Sequence, residues 1–408
     1  MKHFTNKKYL TFAFNLQILL LFVVSFAISK TPHTTILISL DGFRYDYIER
    51  GFNPTLEDIA EKGVFAEYLQ PVFPSSTFPN HISIITGLYP GNHGIVANNF
   101  FDYKSNKQYS IGKPDATNSD WYLGEAFWET CRKNNVIAAS YFWPSSENAD
   151  EKRRPNYYHP YEHKRDYLER VNGVLDWLKL PLDKQPKFIT LYFDSPDSYG
   201  HNYGSSSKEL NESNKALDSV LNYFFTELKK REIFDSLNII IVSDHGMTDL
   251  SKDRTINLKQ IIPDEFATII NNSAYAFVQP KEGYKQKVYD LLKQNQNHYE
   301  FYNKSEIPER YHFKNDDRIS DIFVIADCGW LLLTDRPYSD KYVATHGYDN
   351  RCMEMQASFF AIGPDFKRNY RTNGLKNIDI YPLLCKLYGF EIDHKIDGNL
   401  QEIIHILK

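Results

Sequence analysis

Six side chains, three carboxylates and three imidazoles, stand where a chain could use them to hold metal ions. Asp41 closes the run TTILISLD, Asp197 and His201 sit four apart in SPDSYGH, Asp244 and His245 are adjacent in IIIVSDHGM, and His346 lies in THGYDN. A spacing of four puts Asp197 and His201 on one side of a helical turn. Together the six could fill two sites with three protein ligands each. Mixed histidine and aspartate ligation with open positions suits catalytic zinc better than magnesium or calcium, which favour all-oxygen shells. A strand-end aspartate alone serves equally well as a helix cap. The joint placement of the six carries the reading.

A further group has the chemistry of a nucleophile. In FPSSTFPNH, Thr77 stands between Pro74 and Pro79, and Ile82, Ile84 and Ile85 follow as the buried side of a helix. The prolines restrict the backbone on either side. A helix N-terminus offers unpaired amides and the positive end of a dipole to negative charge. Capping is the simpler role for a threonine there. Attack by its hydroxyl at neutral pH needs the proton drawn off, which nearby divalent cations achieve.

The elements that must position these groups are legible as alternating apolar runs and amphipathic stretches, which predicts an α/β architecture. TTILISL (34–40), FITLYF (188–193) and NIIIVS (238–243) read as strands buried on both faces, and SFFAIG (358–363) adds another. Helical patterns cover 167–178 and 208–230. Each of the first three strands runs straight into LDGFR, DSPDSYGH or DHGM. In an open, mainly parallel sheet, ligands bind beyond the carboxyl ends of the strands. The segment 270–330 is less regular and reads as an inserted subdomain or cap.

At 408 residues the chain has length for a substantial core, and its 42% hydrophobic and 24% charged residues are globular in proportion. A net charge of −5 without a long basic run argues against a binder of duplex nucleic acid. Lys2, Lys7 and Lys8, then the apolar run from Ile18 to Ala27, then small residues around Ser25, Ala27 and Ser29 form a signal-peptide pattern over 1–29. The apolar run is short for a membrane span. The expectation is export, periplasmic or secreted, with no membrane span after signal removal; a retained anchor is the alternative. The four cysteines include no Cys-x-x-Cys pair, which disfavours thiolate zinc and redox motifs. A disulfide among Cys328, Cys352 and Cys385 is left open without a choice of pair. Sequons stand at Asn211, Asn271 and Asn303.

LDGFRYDY, FPSSTFPNHISIITGLYPGNHGI, DSPDSYGH, SDHGM and THGYDN, in this order, resemble the motif series of the nucleotide pyrophosphatase/phosphodiesterases, within the alkaline phosphatase superfamily. The resemblance covers 33–408. It implies an alkaline phosphatase-like α/β fold, with a mainly parallel central sheet, helices on both faces and a small inserted cap around 270–330. It also implies two zinc ions, one held by Asp197, His201 and His346 and the other by Asp41, Asp244 and His245. Thr77 resembles the metal-coordinated nucleophile, and Asn98 in GIVANNF the donor to a non-bridging phosphate oxygen. Asn80 and Asn99 lie close by, but the spacing to Thr77 favours Asn98. His81 and His93 match family positions that pack behind the ligands.

The implied reaction is cleavage of a nucleotide phosphodiester or phosphoanhydride through a covalent phosphothreonine, releasing nucleoside 5′-monophosphate. The sulfatase C/S-x-P-x-R signature is absent, and Thr77 with Asn98 replaces the serine and arginine of alkaline phosphatases. Phe78 and Tyr161 are similar to the two faces of a base-stacking slot, with Trp143 and Glu147 along its wall. A cation that some vertebrate members use near the base is not matched: Ala116 stands there, with Lys113 nearby. A diesterase for choline or glycerol phosphodiesters, or lysophospholipids, is the alternative on the same centre. A non-catalytic metal-binding homologue is the remaining one, and the intact ligand set argues against it.

Overall fold

The computed structural model describes residues 32–315 and 317–408. The expected signal segment lies outside the described residues. Among the described residues, no helix is long and apolar enough to cross a membrane.

The apolar runs form the middle of a nine-stranded sheet. In chain order its first strands are β1 (Thr35–Leu40), β2 (Val64–Gln70), β3 (Ala138–Tyr141), β4 (Tyr157–His159), β5 (Phe188–Phe193) and β6 (Asn238–Val242). Across the sheet the order is Tyr370–Thr372, β2, Ala357–Ile362, β6, β1, β5, β3, β4, with Leu375–Lys376 also beside β2. Ala357–Ile362 runs antiparallel to both neighbours, and the other pairings are parallel. The fold is the alkaline phosphatase-like α/β type.

β1, β5 and β6 are buried along their whole length because helices cover both faces. Side chains alternate across a strand. Ile36, Ile38 and Leu40 therefore face one core, shared with Leu217, Leu221 and Phe224 of the helix Lys208–Lys230. Leu37 faces the other, shared with Ile84 and Ile85 of the helix Thr77–Thr86. Burying each such side chain stabilises by roughly 1.5–3 kcal/mol, so packing rather than helix propensity holds these layers.

A second sheet is antiparallel, with Ala267–Asn271, Tyr275–Pro280, Ile322–Ala326 and Tyr299–Asn303 in spatial order. Tyr275, Phe277 and Phe323 of this sheet share a core with Phe73, Phe100 and Trp121, which fixes it to the chain on both sides of Thr77. The turn between its first two strands is pinned. Asn271 accepts from the Ser273 N–H and donates to the Leu332 carbonyl, while Asn272 Nδ2 donates to the Asn99 carbonyl. A disulfide joins Cys328 to Cys352, and Cys131 and Cys385 are buried thiols.

Candidate active site

Strand register brings the predicted residues to one edge. Ser39 of β1 is opposite Tyr192 of β5 and Val242 of β6, so the three parallel strands end side by side. Asp41, the segment 194–197 and Asp244–His245 all emerge there. Gly42 turns the chain with φ +70°, and a Cβ on it would lie 2.9 Å from the Asp197 Cα. Only glycine fits this approach. Its N–H donates to Asp244 Oδ1 at 3.1 Å, and the Asp197 N–H donates to the Asp41 carbonyl at 2.9 Å.

The three imidazoles are oriented alike. Nδ1 of His201, His245 and His346 is 2.8–2.9 Å from the carbonyls of Ala344, Gly246 and Ser75 respectively. A carbonyl only accepts, so each Nδ1 donates and each Nε2 is turned to the cluster. The rings of His245 and His346 stack with centroids 3.6 Å apart.

Each carboxylate keeps one buried oxygen without a hydrogen-bond partner: Asp41 Oδ1, Asp197 Oδ1 and Asp244 Oδ2. Unpaired buried oxygens are costly. Their close neighbours are imidazole nitrogens: Asp41 Oδ1 is 3.6 Å and Asp244 Oδ2 3.0 Å from His245 Nε2, and Asp197 Oδ1 is 3.7 Å from His346 Nε2. Asp197, His201 and His346 bring one ligand atom each within 4.8 Å of one another, as do Asp41, Asp197 and His245. Burial and repulsion from Asp244 and Asp197 push the Asp41 carboxyl well up. Burial also raises Asp197, whereas His245 and His81 hold Asp244 below the usual range in spite of its burial. Burial opposes a proton on His245, but Asp244, Asp197 and the Gly246 carbonyl together raise this imidazole. Such a proton occupies the place a cation competes for. Converging carboxylates, free imidazole nitrogens and missing positive charge fit divalent metal ions.

Thr77 opens the helix Thr77–Thr86, and its Oγ is 3.2 Å from His245 Nε2. Asn98 Oδ1 accepts from the Phe78 N–H at 3.1 Å. That bond commits the acceptor end of the amide, leaving its NH₂ to offer the cavity it lines with Thr77. Asn80 is used up in the backbone: it accepts from the Val72 N–H and donates to the Pro74 and Ser76 carbonyls. Asn99 accepts from Gln108 at an exposed edge.

His81 comes near Asp41 and Asp244. Its Nδ1, however, bonds to the Thr77 carbonyl and its Nε2 to Ser39 Oγ, so it braces the backbone at Thr77. His93 is bonded to Ser83 and accepts from the Ile95 N–H, and burial pushes it down to about 3.

Phe78, Trp143, Glu147 and Tyr161 line one cavity of about 740 Å³ together with Lys113, Ala116 and Phe142. Trp143 is buried and donates to the His81 carbonyl. Glu147 accepts from the Tyr161 N–H, and the Tyr161 ring is 44% exposed. Sequence reading missed two supports. The Tyr192 hydroxyl donates to Asp41 Oδ2 at 2.6 Å, and the Tyr342 ring lies flat on His201, centroids 4.6 Å apart. Tyr192 sits in a run already read as strand, so only its face was in question; the stretch holding Tyr342 gave no signal.

Residues 35–349 match the family model described as type I phosphodiesterase / nucleotide pyrophosphatase. Ectonucleotide pyrophosphatase/phosphodiesterase family member 5 of Homo sapiens is 35% identical over 384 residues, 94% of this chain and 80% of that protein. Bis(5′-adenosyl)-triphosphatase ENPP4 of Homo sapiens is 35% identical over 370 residues, 89% of this chain and 80% of that one. Among solved structures, murine ectonucleotide pyrophosphatase/phosphodiesterase 5, as an inactive threonine-to-alanine variant in complex with AMP, superposes with a TM-score of 0.87 at 33% identity. That match covers 92% of this chain and 100% of the murine one.

Proposed function

Because the chain belongs to the type I phosphodiesterase/nucleotide pyrophosphatase family, and is thus a hydrolase of phosphodiester and pyrophosphate bonds, we propose that it cleaves nucleotides to nucleoside 5′-monophosphates through Thr77. One observation carries the reading: three carboxylates with unpaired buried oxygens converge with three imidazoles whose Nε2 atoms point inward, and one of these, His245 Nε2, is 3.2 Å from Thr77 Oγ. Asp197, His201 and His346 would hold one divalent ion and Asp41, Asp244 and His245 another, both read as zinc. When bound, such ions lower the pKa of a hydroxyl and of water and offset charge on phosphate oxygens.

Thr77 Oγ loses its proton and forms a bond to phosphorus as the substituent opposite departs with its bonding electrons, and the proton passes to the departing oxygen or to water. Water then releases the phosphoryl group from Thr77, with net retention at phosphorus. Asn98 steadies a non-bridging oxygen through its NH₂. Phe78 and Tyr161 take the base between them, a contact worth roughly 1–3 kcal/mol for any base. The AMP complex of the murine relative and the inactivity of its threonine-to-alanine form support both assignments. A choline or glycerol headgroup would find aromatic rings and Glu147 in the same cavity. The volume of about 740 Å³ suits the larger nucleoside. The signal-like N-terminus supports export to the periplasm or beyond.

The test is turnover of zinc-loaded protein on the p-nitrophenyl ester of thymidine 5′-monophosphate against p-nitrophenyl phosphate. The diester is expected to win by a wide margin, and Thr77→Ala to lose on the order of 10³-fold or more while retaining its metal by elemental analysis. Wild-type turnover by Thr77→Ala would remove the covalent route, and faster turnover of p-nitrophenylphosphocholine would favour the choline reading.

A further inference from the structure

We infer that a cavity outside the catalytic centre, framed by Arg351, Lys376 and His312, binds a small phosphate anion, either free phosphate or the head of a small phosphate monoester. The cavity holds about 220 Å³ and shares no lining residue with the cavities at Thr77. The inference therefore stands apart from the reading of the catalytic centre.

Amide side chains pin the walls, which come from segments far apart in the chain. Gln70 Nε2 donates to the Asn350 carbonyl at 3.2 Å, and Asn350 Nδ2 donates to the Pro71 carbonyl at 3.0 Å. Asn377, only 1% exposed, donates to Asn80 Oδ1 at 2.8 Å. Asn80 in turn holds the Pro74 and Ser76 carbonyls. The cavity thus backs onto the segment that leads to Thr77, and its rim is a built structure rather than a fold of mobile surface.

The charge on that rim is one-sided. Among the described residues lining the cavity there is no aspartate or glutamate. Arg310 is spent, because its guanidinium forks onto both oxygens of Asp349. Arg351 and Lys376 are not: among the described residues neither side chain bonds to a carboxylate, and Lys376 lies only in the field of Asp379. The His312 ring is stacked flat on Tyr89 with centroids 4.1 Å apart, and its nitrogens bond to no other described residue. Cations gathered in a concavity without counter-charge concentrate positive potential there. A phosphate can accept from several directions at once, and the arginine fork matches its oxygens. A carboxylate offers two oxygens in one plane and would leave part of this donor set unused.

The test is equilibrium dialysis of labelled inorganic phosphate, and separately of glycerol 3-phosphate, against the metal-loaded full chain and its Arg351→Glu/Lys376→Glu variant. Any phosphate held at the metal centre is common to both proteins. The wild-type chain is expected to hold an additional phosphate that the variant binds at least about tenfold more weakly. The anion held more tightly of the two names the source. Equal occupancy in the two proteins would overturn the inference, as would displacement of the additional phosphate by acetate at equal concentration and matched ionic strength. Wild-type crystals soaked in phosphate give a reading that does not depend on the variant folding. Density for the anion beside Arg351 and Lys376 supports the inference, and an empty cavity at phosphate concentrations that saturate dialysis overturns it.

Discussion

The Tyr192 hydroxyl decides which oxygen of Asp41 is left for a metal, because its bond at 2.6 Å occupies Oδ2 and leaves Oδ1 unpartnered. Partners behind a metal ligand typically matter 10–100-fold, roughly, in metal affinity. Tyr192→Phe should therefore weaken divalent-metal binding by about that factor in a chelator competition, with much smaller loss of kcat at saturating metal. Unchanged affinity would mean that Asp41 is oriented by the turn alone. Residue chemistry was largely legible in the sequence: aspartates and histidines directly after apolar runs announced themselves. The distinction between Asn98 and Asn80 was less so, because it lies in hydrogen bonds to Phe78 and Val72 that a linear reading does not contain. Tyr192 was hidden for the same reason, since its direction depends on the register of β5 against β1.

At the scale of elements, the long buried runs were easy to read and the short ones were not. The helix expected over 208–230 is observed as Lys208–Lys230, and the strand expected over 188–193 as Phe188–Phe193. By contrast β2, VFAEYLQ, alternates buried and partly exposed residues, and β4 has only three residues, none fully buried. Phe65 and Tyr68 at half-buried positions blur the alternation of β2 in the sequence, and three residues are too few to show a period. Antiparallel entry of Ala357–Ile362 is a matter of topology, which no local pattern announces. The β1 turn is the element on which the site depends most. Gly42→Ala would place a methyl group against the Asp197 backbone at a φ of +70°. The expected cost is about 2 kcal/mol or more, read as a lower Tm together with reduced divalent-metal content. A fully metallated variant with the wild-type Tm would show that the turn can relax.

For the whole molecule, acid should stabilise rather than weaken one junction. Asp379 precedes the helix Ile380–Tyr388 and ties it to the C-terminal segment by accepting from the Asn399 N–H. Its other oxygen has no partner. Burial pushes this carboxyl from 3.8 up to about 6. A raised carboxyl favours the folded chain while protonated, and the advantage is lost as pH rises from about 4 through about 6. The difference corresponds to about 3 kcal/mol. Asp379→Asn is thus expected to raise the Tm at pH 8 and leave it nearly unchanged at pH 4, by calorimetry at the two pH values. An equal effect at both would assign the change to packing. In another part of the molecule, the Cys328–Cys352 bond links the exit of the second sheet to the loop that follows His346. Such bonds persist where thiols are oxidised and open where glutathione is reduced. The compartment in which the chain matures therefore leaves its mark on the last of the imidazoles: made in a reducing cytosol, the same polypeptide would carry His346 on an unfastened clasp.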